Sequence, residues 1–108
     1  MVSLMDLRKL NETDIAAITR FIDRIRRTKR NYDQGQQALL DLANENLVEI
    51  VERYQSLHAP MTTDTMITKG FTDKKLKKAK DSLLAIVAKI GELKESAYTI
   101  LAILGKLN

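Results

Sequence analysis

The amino-acid sequence predicts an all-α protein, an antiparallel bundle of three main helices with a short N-terminal helical arm. Its last third contains an unbroken heptad pattern of the coiled-coil type, in which apolar residues recur at steps of three and four. Only an α-helix places residues with this spacing on one face. One proline and four glycines among 108 residues also leave few points at which a helix must end. The residues of this heptad seam are Leu76, Ala79, Leu83, Ile86, Ile90, Leu93, Ala97, Ile100 and Leu104.

The sequence of the N-terminal part predicts the helical arm over residues 3–10, followed by a first helix. Asn11 can cap this helix, and Asp14 stands at the third helical position, so that the two residues form a capping box. Cations at residues 26–30 mark the C-terminus, where the helix dipole favours positive charge. One narrow face of the helix carries Ile15, Ile18, Phe21, Ile22 and Ile25.

Residues 31–35 predict a turn before the second helix. Asp33 and Gln36 repeat the capping-box spacing, and the phase of the apolar pattern shifts at this point. A kinked continuous helix of about 45 residues is the alternative, although helices usually run over 8–20 residues. The second helix is expected over about residues 34–58, because Pro60 prevents its continuation.

A long loop is predicted over residues 59–71, followed by one long helix over residues 73–104. At ~1.5 Å per residue this helix would be roughly 48 Å long. Gly91 is its weak point, because a glycine inside a helix costs ~1 kcal/mol. Gly91 lies beside the seam and does not interrupt its register. We therefore expect a continuous helix, whereas a break at Gly91 would give four main helices.

The composition argues against an enzyme. Cysteine is absent, which excludes disulfides, thiolate metal sites and a cysteine nucleophile. His58 is the only histidine, so the ligand sets of zinc and di-iron bundle sites are missing. The four glycines are isolated, and no phosphate-binding loop is formed. We expect no catalytic activity, no cofactor, no bound metal and no small-molecule substrate.

The length corresponds to one domain over residues 1–108. The first ten residues lack the apolar segment of a signal peptide, and no stretch of eighteen apolar residues is present. The expected location is the cytoplasm.

The net charge of +4 is concentrated in the C-terminal half, where residues 59–108 hold nine lysines and five acidic residues. Five of these lysines stand at the start of the long helix, where cations oppose the helix dipole. They are candidates for binding an anionic polymer or surface, either nucleic acid or anionic lipid. Pairing with Glu49 and Glu52 of the second helix is the interpretation that we prefer. This lysine cluster consists of Lys74, Lys75, Lys77, Lys78 and Lys80.

A second basic stripe lies on the first helix, where Arg20, Arg24 and Arg27 follow helical spacing opposite the apolar face. Such a stripe is suited to phosphate groups. However, Asp14 and Asp23 interleave with it, and the chain has few aromatic residues for stacking on bases. We therefore interpret the stripe as an exposed charged face.

The end of the long helix predicts self-association. Residues 97–104 are apolar nearly all round, and a helix of this kind faces more than one neighbour. We expect an uncovered patch that a twofold dimer buries, unless the N-terminal arm folds back over it. The predicted interface residues are Leu84, Tyr98, Leu101 and Ile103.

The expected function is therefore that of a non-catalytic protein-interaction module. It is expected to self-associate and to act by binding a protein partner. The alternative is the binding of an anionic polymer or surface through the lysine cluster. The dependence of binding on ionic strength distinguishes these two functions, because counterion release makes the affinity for nucleic acid fall steeply as the salt concentration rises.

Overall fold

A computed structural model describes residues 4–57 and 73–107 of the chain. Its helical bundle confirms the predicted all-α class. Within these residues the four α-helices are α1 (Glu12–Thr28), α2 (Gln34–Leu57), α3 (Asp73–Lys89) and α4 (Lys94–Leu104). Short 3-10 segments cover Leu4–Lys9, Lys29–Asn31, Gly91–Leu93 and Gly105–Leu107. The predicted loop over residues 59–71, together with His58, lies outside the described residues.

Both predicted capping boxes are present. The Asp14 amide donates to Asn11 Oδ1 at 2.8 Å, and the Asn11 amide donates to Asp14 Oδ2 at 3.1 Å. Before α2, the Gln36 amide donates to Asp33 Oδ1 at 2.8 Å. The Asp33 amide in turn donates to Gln36 Oε1 at 3.2 Å. The chain therefore turns between α1 and α2, and the alternative of one kinked helix is excluded.

Side-chain contacts show that α3 runs antiparallel to α2. Near the start of α3, Lys75 Nζ lies 2.6 Å from Glu49 Oε1 in the second half of α2. At the end of α3, the Lys89 carbonyl accepts from Gln36 Nε2 at the start of α2, at 3.2 Å. The start of α3 therefore lies beside the second half of α2, and the end of α3 lies beside the start of α2.

Side-chain contacts likewise show that α4 runs antiparallel to α1. The Arg24 guanidinium donates to Ser96 Oγ at 2.8 Å, near the start of α4. Lys106 Nζ, just after α4, lies 2.8 Å from Asp14 Oδ2 in the first turn of α1. Since α1 packs on α2 and α4, and α3 packs on α2 and α4, the four helices form an up-down-up-down bundle.

The expectation of one continuous C-terminal helix is wrong. Ile90 leaves the helical conformation, with φ −130° and ψ 84°, and a 3-10 turn over Gly91–Leu93 follows. The two halves then pack against each other as α3 and α4. A straight helix over residues 73–104 would be roughly 48 Å long, against about 36 Å for α2. Much of its seam would then lie beyond any neighbour, whereas reversal buries both halves in one core.

Tertiary hydrogen bonds satisfy the backbone carbonyls that this reversal releases from the helix. Gln36 Nε2 donates to the Lys89 carbonyl, and Arg24 donates to the Glu92 carbonyl at 3.2 Å. The Leu93 amide closes the turn on the Ile90 carbonyl at 3.0 Å. The reversal is therefore stabilised by α1 and α2 as well as by its own turn.

Every residue of the heptad seam is buried, on both sides of the reversal. The arm also contributes to this core, through Leu7 and Leu10. It packs against α2 and against the C-terminal 3-10 segment. The arm therefore closes one end of the bundle, but it does not cover the flank of α3 and α4 as the alternative to dimerisation supposed.

Candidate functional site

Two large apolar side chains remain half-exposed on α3 and α4. Leu84 is 52% exposed and Tyr98 is 50% exposed. Val87 and Leu101 are partly buried and pack against the core. We call the set Leu84, Val87, Tyr98 and Leu101 the apolar face.

Helix geometry places these side chains on one side of the bundle. Ser82 faces α2, because Asn46 donates to its hydroxyl at 3.4 Å. Leu84 is two residues further on, about 200° around the helix, and therefore points to the α4 side of α3. By the same reasoning Tyr98 points to the α3 side of α4, because Ser96 contacts α1. The apolar face thus lies along the groove between α3 and α4.

Ile103 does not belong to this surface. It is only 8% exposed, so the expectation that it forms part of an uncovered patch is wrong. Ile103 follows Ser96 by two helical turns and therefore lies on the α1 side of α4, away from Tyr98. Three of the four predicted interface residues lie on the apolar face, and the fourth is in the core.

The lysine cluster is partly engaged by the bundle itself. Lys75 pairs with Glu49, as expected for the preferred interpretation. Glu49 also accepts a hydrogen bond from the buried Arg53, at 3.1 Å. Glu52 forms no described contact with a lysine. The other cluster members are largely exposed at the start of α3, and these are Lys74, Lys77, Lys78 and the partly buried Lys80.

The pKa of the Glu49 carboxyl is lowered from its ordinary value. Partial burial on its own would raise this pKa, but hydrogen bonds from Lys75 and Arg53 to the charged form outweigh that effect. The Glu49 carboxylate therefore links α2 to α3 as an anion at neutral pH.

The three arginines of the basic stripe line an open groove between α1 and α4, of about 320 Å³. Arg20 and Arg27 are exposed at its rim, whereas Arg24 is half-buried at its floor. The facing wall carries the hydroxyl-bearing residues Ser96 and Thr99 of α4. We call this feature the arginine groove.

A polar network adjoins the arginine groove at the reversal between α3 and α4. The Tyr32 hydroxyl donates to Glu92 Oε2 at 3.0 Å, while the Glu92 carbonyl accepts from Arg24. Burial and the neighbouring Glu92 carboxylate both raise the pKa of Tyr32, so the phenol stays protonated. These contacts were not predictable from the sequence, because residues 60 and 68 positions apart carry no local signal of their pairing.

Within residues 4–57 and 73–107, the structure shows no group of acidic residues or histidines that could hold a metal ion. None of the helices described has both the length and the apolar composition to cross a membrane. Comparison with known protein families, with curated proteins and with solved structures finds no significant match.

Proposed function

We propose that this chain is a non-catalytic protein-interaction module that self-associates through the apolar face. The observation that carries the proposal is the half-exposure of Leu84 and Tyr98 on one side of the bundle. Val87 and Leu101 extend this surface down to the core. Exposed apolar residues that occur singly need no explanation, whereas a contiguous set favours an interface.

A second copy suits this surface because a twofold pairing is self-complementary and is the commonest arrangement of small oligomers. Both signs of charge border the apolar face at each end. Asp81 lies with Lys77 and Lys80 on α3, and Lys94 and Glu95 are adjacent at the start of α4. The rim of the apolar face is therefore polar and of mixed charge, as is usual at protein interfaces.

The modest size of the apolar face argues for a weak dimer. Stable interfaces bury at least about 1,000 Å² in total. The large apolar side chains exposed on the described parts of α3 and α4 are Leu84 and Tyr98, so the apolar contact area is small. We therefore expect association in the micromolar range, about −8 kcal/mol.

Sedimentation equilibrium over a range of protein concentrations tests the proposal. Leu84→Lys and Tyr98→Lys should each shift the equilibrium to monomer while leaving the helical circular dichroism unchanged. Leu42→Lys is the matched control, because Leu42 is 48% exposed but lies on α2, away from α4. A monomer mass for the native protein at every concentration contradicts self-association. Equal dissociation by Leu42→Lys would place the interface elsewhere.

Binding of an anionic polymer through the lysine cluster is the second candidate function. It is favoured by the exposure of Lys74, Lys77 and Lys78 at a helix N-terminus, where the helix dipole disfavours cations and a bound anion would offset this effect. Reversal of these three charges to glutamate should abolish binding to DNA, RNA or anionic vesicles at about 150 mM salt. Absence of binding by the native protein at that salt concentration excludes this function.

A further inference from the structure

We propose that the arginine groove is a binding site for a compact oligophosphate anion. Arg20, Arg24 and Arg27 of α1 supply the guanidinium groups, and Ser96 and Thr99 of α4 form the facing wall. The site lies between α1 and α4, so it is separate from the apolar face and does not depend on self-association.

Arg24 occupies a position in the groove that favours an anionic ligand. This half-buried guanidinium donates to Ser96 Oγ at 2.8 Å and to the Glu92 carbonyl at 3.2 Å, and both acceptors are neutral. Among the described residues, no carboxylate lies within ion-pair distance of it. The nearby Glu92 carboxylate accepts from Tyr32 instead. Because both of its acceptors are neutral, Arg24 places a positive charge without a paired carboxylate in the groove.

The spacing of the three arginines also favours an anionic ligand. Arg20 precedes Arg24 by four residues and Arg27 follows it by three, so the three side chains share one face of α1. The set extends over roughly 10 Å along the helix axis. Neither Arg20 nor Arg27 forms a hydrogen bond or ion pair within the described parts of the chain. Guanidinium groups bind phosphate oxygens in a bidentate manner, so two or three of them suit a pair of linked phosphates.

The fixed orientation of the Arg24 guanidinium in the groove supports the binding of one defined ligand. The two hydrogen bonds of Arg24 hold its guanidinium in one orientation before any ligand arrives. Pre-organisation of this kind lowers the conformational cost of binding. Exposed cations without such contacts lose side-chain entropy when they bind.

A compact ligand fits better than a nucleic-acid strand. The arginines occupy only two turns of α1, and the lysine cluster lies on α3, which is not a principal neighbour of α1. Nucleic-acid strands are generally bound by an extended basic track with exposed aromatic side chains for stacking. Phe21 is the aromatic residue of the groove, and it is buried.

Titration of the ¹⁵N-labelled protein with inorganic pyrophosphate, followed by NMR at about 100 mM salt, tests the proposal. We expect saturable shifts at the Ser96 and Thr99 amides and at Arg24 Nε. Arg20→Gln and Arg27→Gln should each weaken binding by about tenfold, because each removes a charged hydrogen bond. Arg30→Gln is the matched control, since it removes the same charge from an exposed arginine outside the groove.

Three results would overturn the proposal. The first is an absence of saturable shifts with pyrophosphate. The second is an equal loss of affinity in Arg30→Gln and Arg27→Gln, which would indicate only a long-range charge effect. The third is tighter binding of a single-stranded oligonucleotide than of pyrophosphate, with its shifts spread over the lysine cluster. Citrate serves as a carboxylate comparison and should bind more weakly than pyrophosphate.

Discussion

Lys106 Nζ lies 2.8 Å from Asp14 Oδ2, so the residues that follow α4 are linked to the N-terminal turn of α1. Asp14 also accepts from the Asn11 amide in the capping box. The Asp14 carboxylate therefore accepts a hydrogen bond at the N-terminus of α1 and also holds the segment that follows α4 against this helix. Burial would raise the pKa of Asp14, but the hydrogen bonds from Lys106 and Asn11 outweigh it and lower the pKa.

Because of this ion pair, the free energy of unfolding should depend on pH in the acid range. Because the pKa of Asp14 is lower in the folded state, the unfolded chain binds more protons in the acid range. The contribution of Asp14 is therefore complete above its unfolded pKa, about 4, and is lost as the pH falls through the lower folded pKa. Urea unfolding at several pH values should show this loss for the native protein. The loss should be smaller in Asp14→Asn, which keeps the acceptor oxygen but not the charge. Parallel pH profiles for the two proteins would contradict the assignment.

Gly91→Ala should stabilise the protein even though the helix is interrupted at this point. Gly91 does not have a positive φ, and an added Cβ would meet no atom within 4 Å. Alanine therefore fits the 3-10 turn and lowers the entropy of the unfolded chain, which is worth about 0.4–1 kcal/mol. Chemical denaturation measures the change. A decrease in the free energy of unfolding would show that the turn needs a conformation that alanine cannot adopt.

Ile103→Lys should destabilise the protein far more than Leu84→Lys. A charged group at the buried Ile103 position disrupts the core, and we expect a loss of several kcal/mol in the free energy of unfolding. At the exposed Leu84 position the same substitution should change monomer stability by only about 0.5 kcal/mol. Thermal unfolding of dilute protein compares the two variants. Similar melting temperatures would contradict the burial of Ile103.

Lys75→Met should cost less than Glu49→Gln. Lys75 is a partly exposed partner, so its loss should lower the free energy of unfolding by about 0.2–1 kcal/mol. Glu49→Gln removes the anion that the buried Arg53 contacts as well, and should cost more. A double-mutant cycle measures the coupling between Lys75 and Glu49. No measurable coupling would show that the lysine is held by other contacts.

The sequence was sufficient to predict the features that depend on local contacts. Both capping boxes join residues three positions apart, and they formed as the spacing of Asn11 with Asp14 and of Asp33 with Gln36 indicated. The buried seam was also predictable, because helical periodicity places its residues on one face whichever neighbour covers them. The pairing of Lys75 with Glu49 followed from antiparallel order alone.

The reversal after Ile90, the burial of Ile103 and the two contacts of Arg24 were decided only by the tertiary structure. An unbroken heptad is compatible with one long helix or with two helices that share a core, because the same residues are buried in both. What distinguishes the two is whether a neighbour is long enough to cover the seam, and whether Gln36 and Arg24 can reach the carbonyls that the turn releases. These partners are about 50 to 70 positions away in the chain, so their contribution arises only when the helices pack.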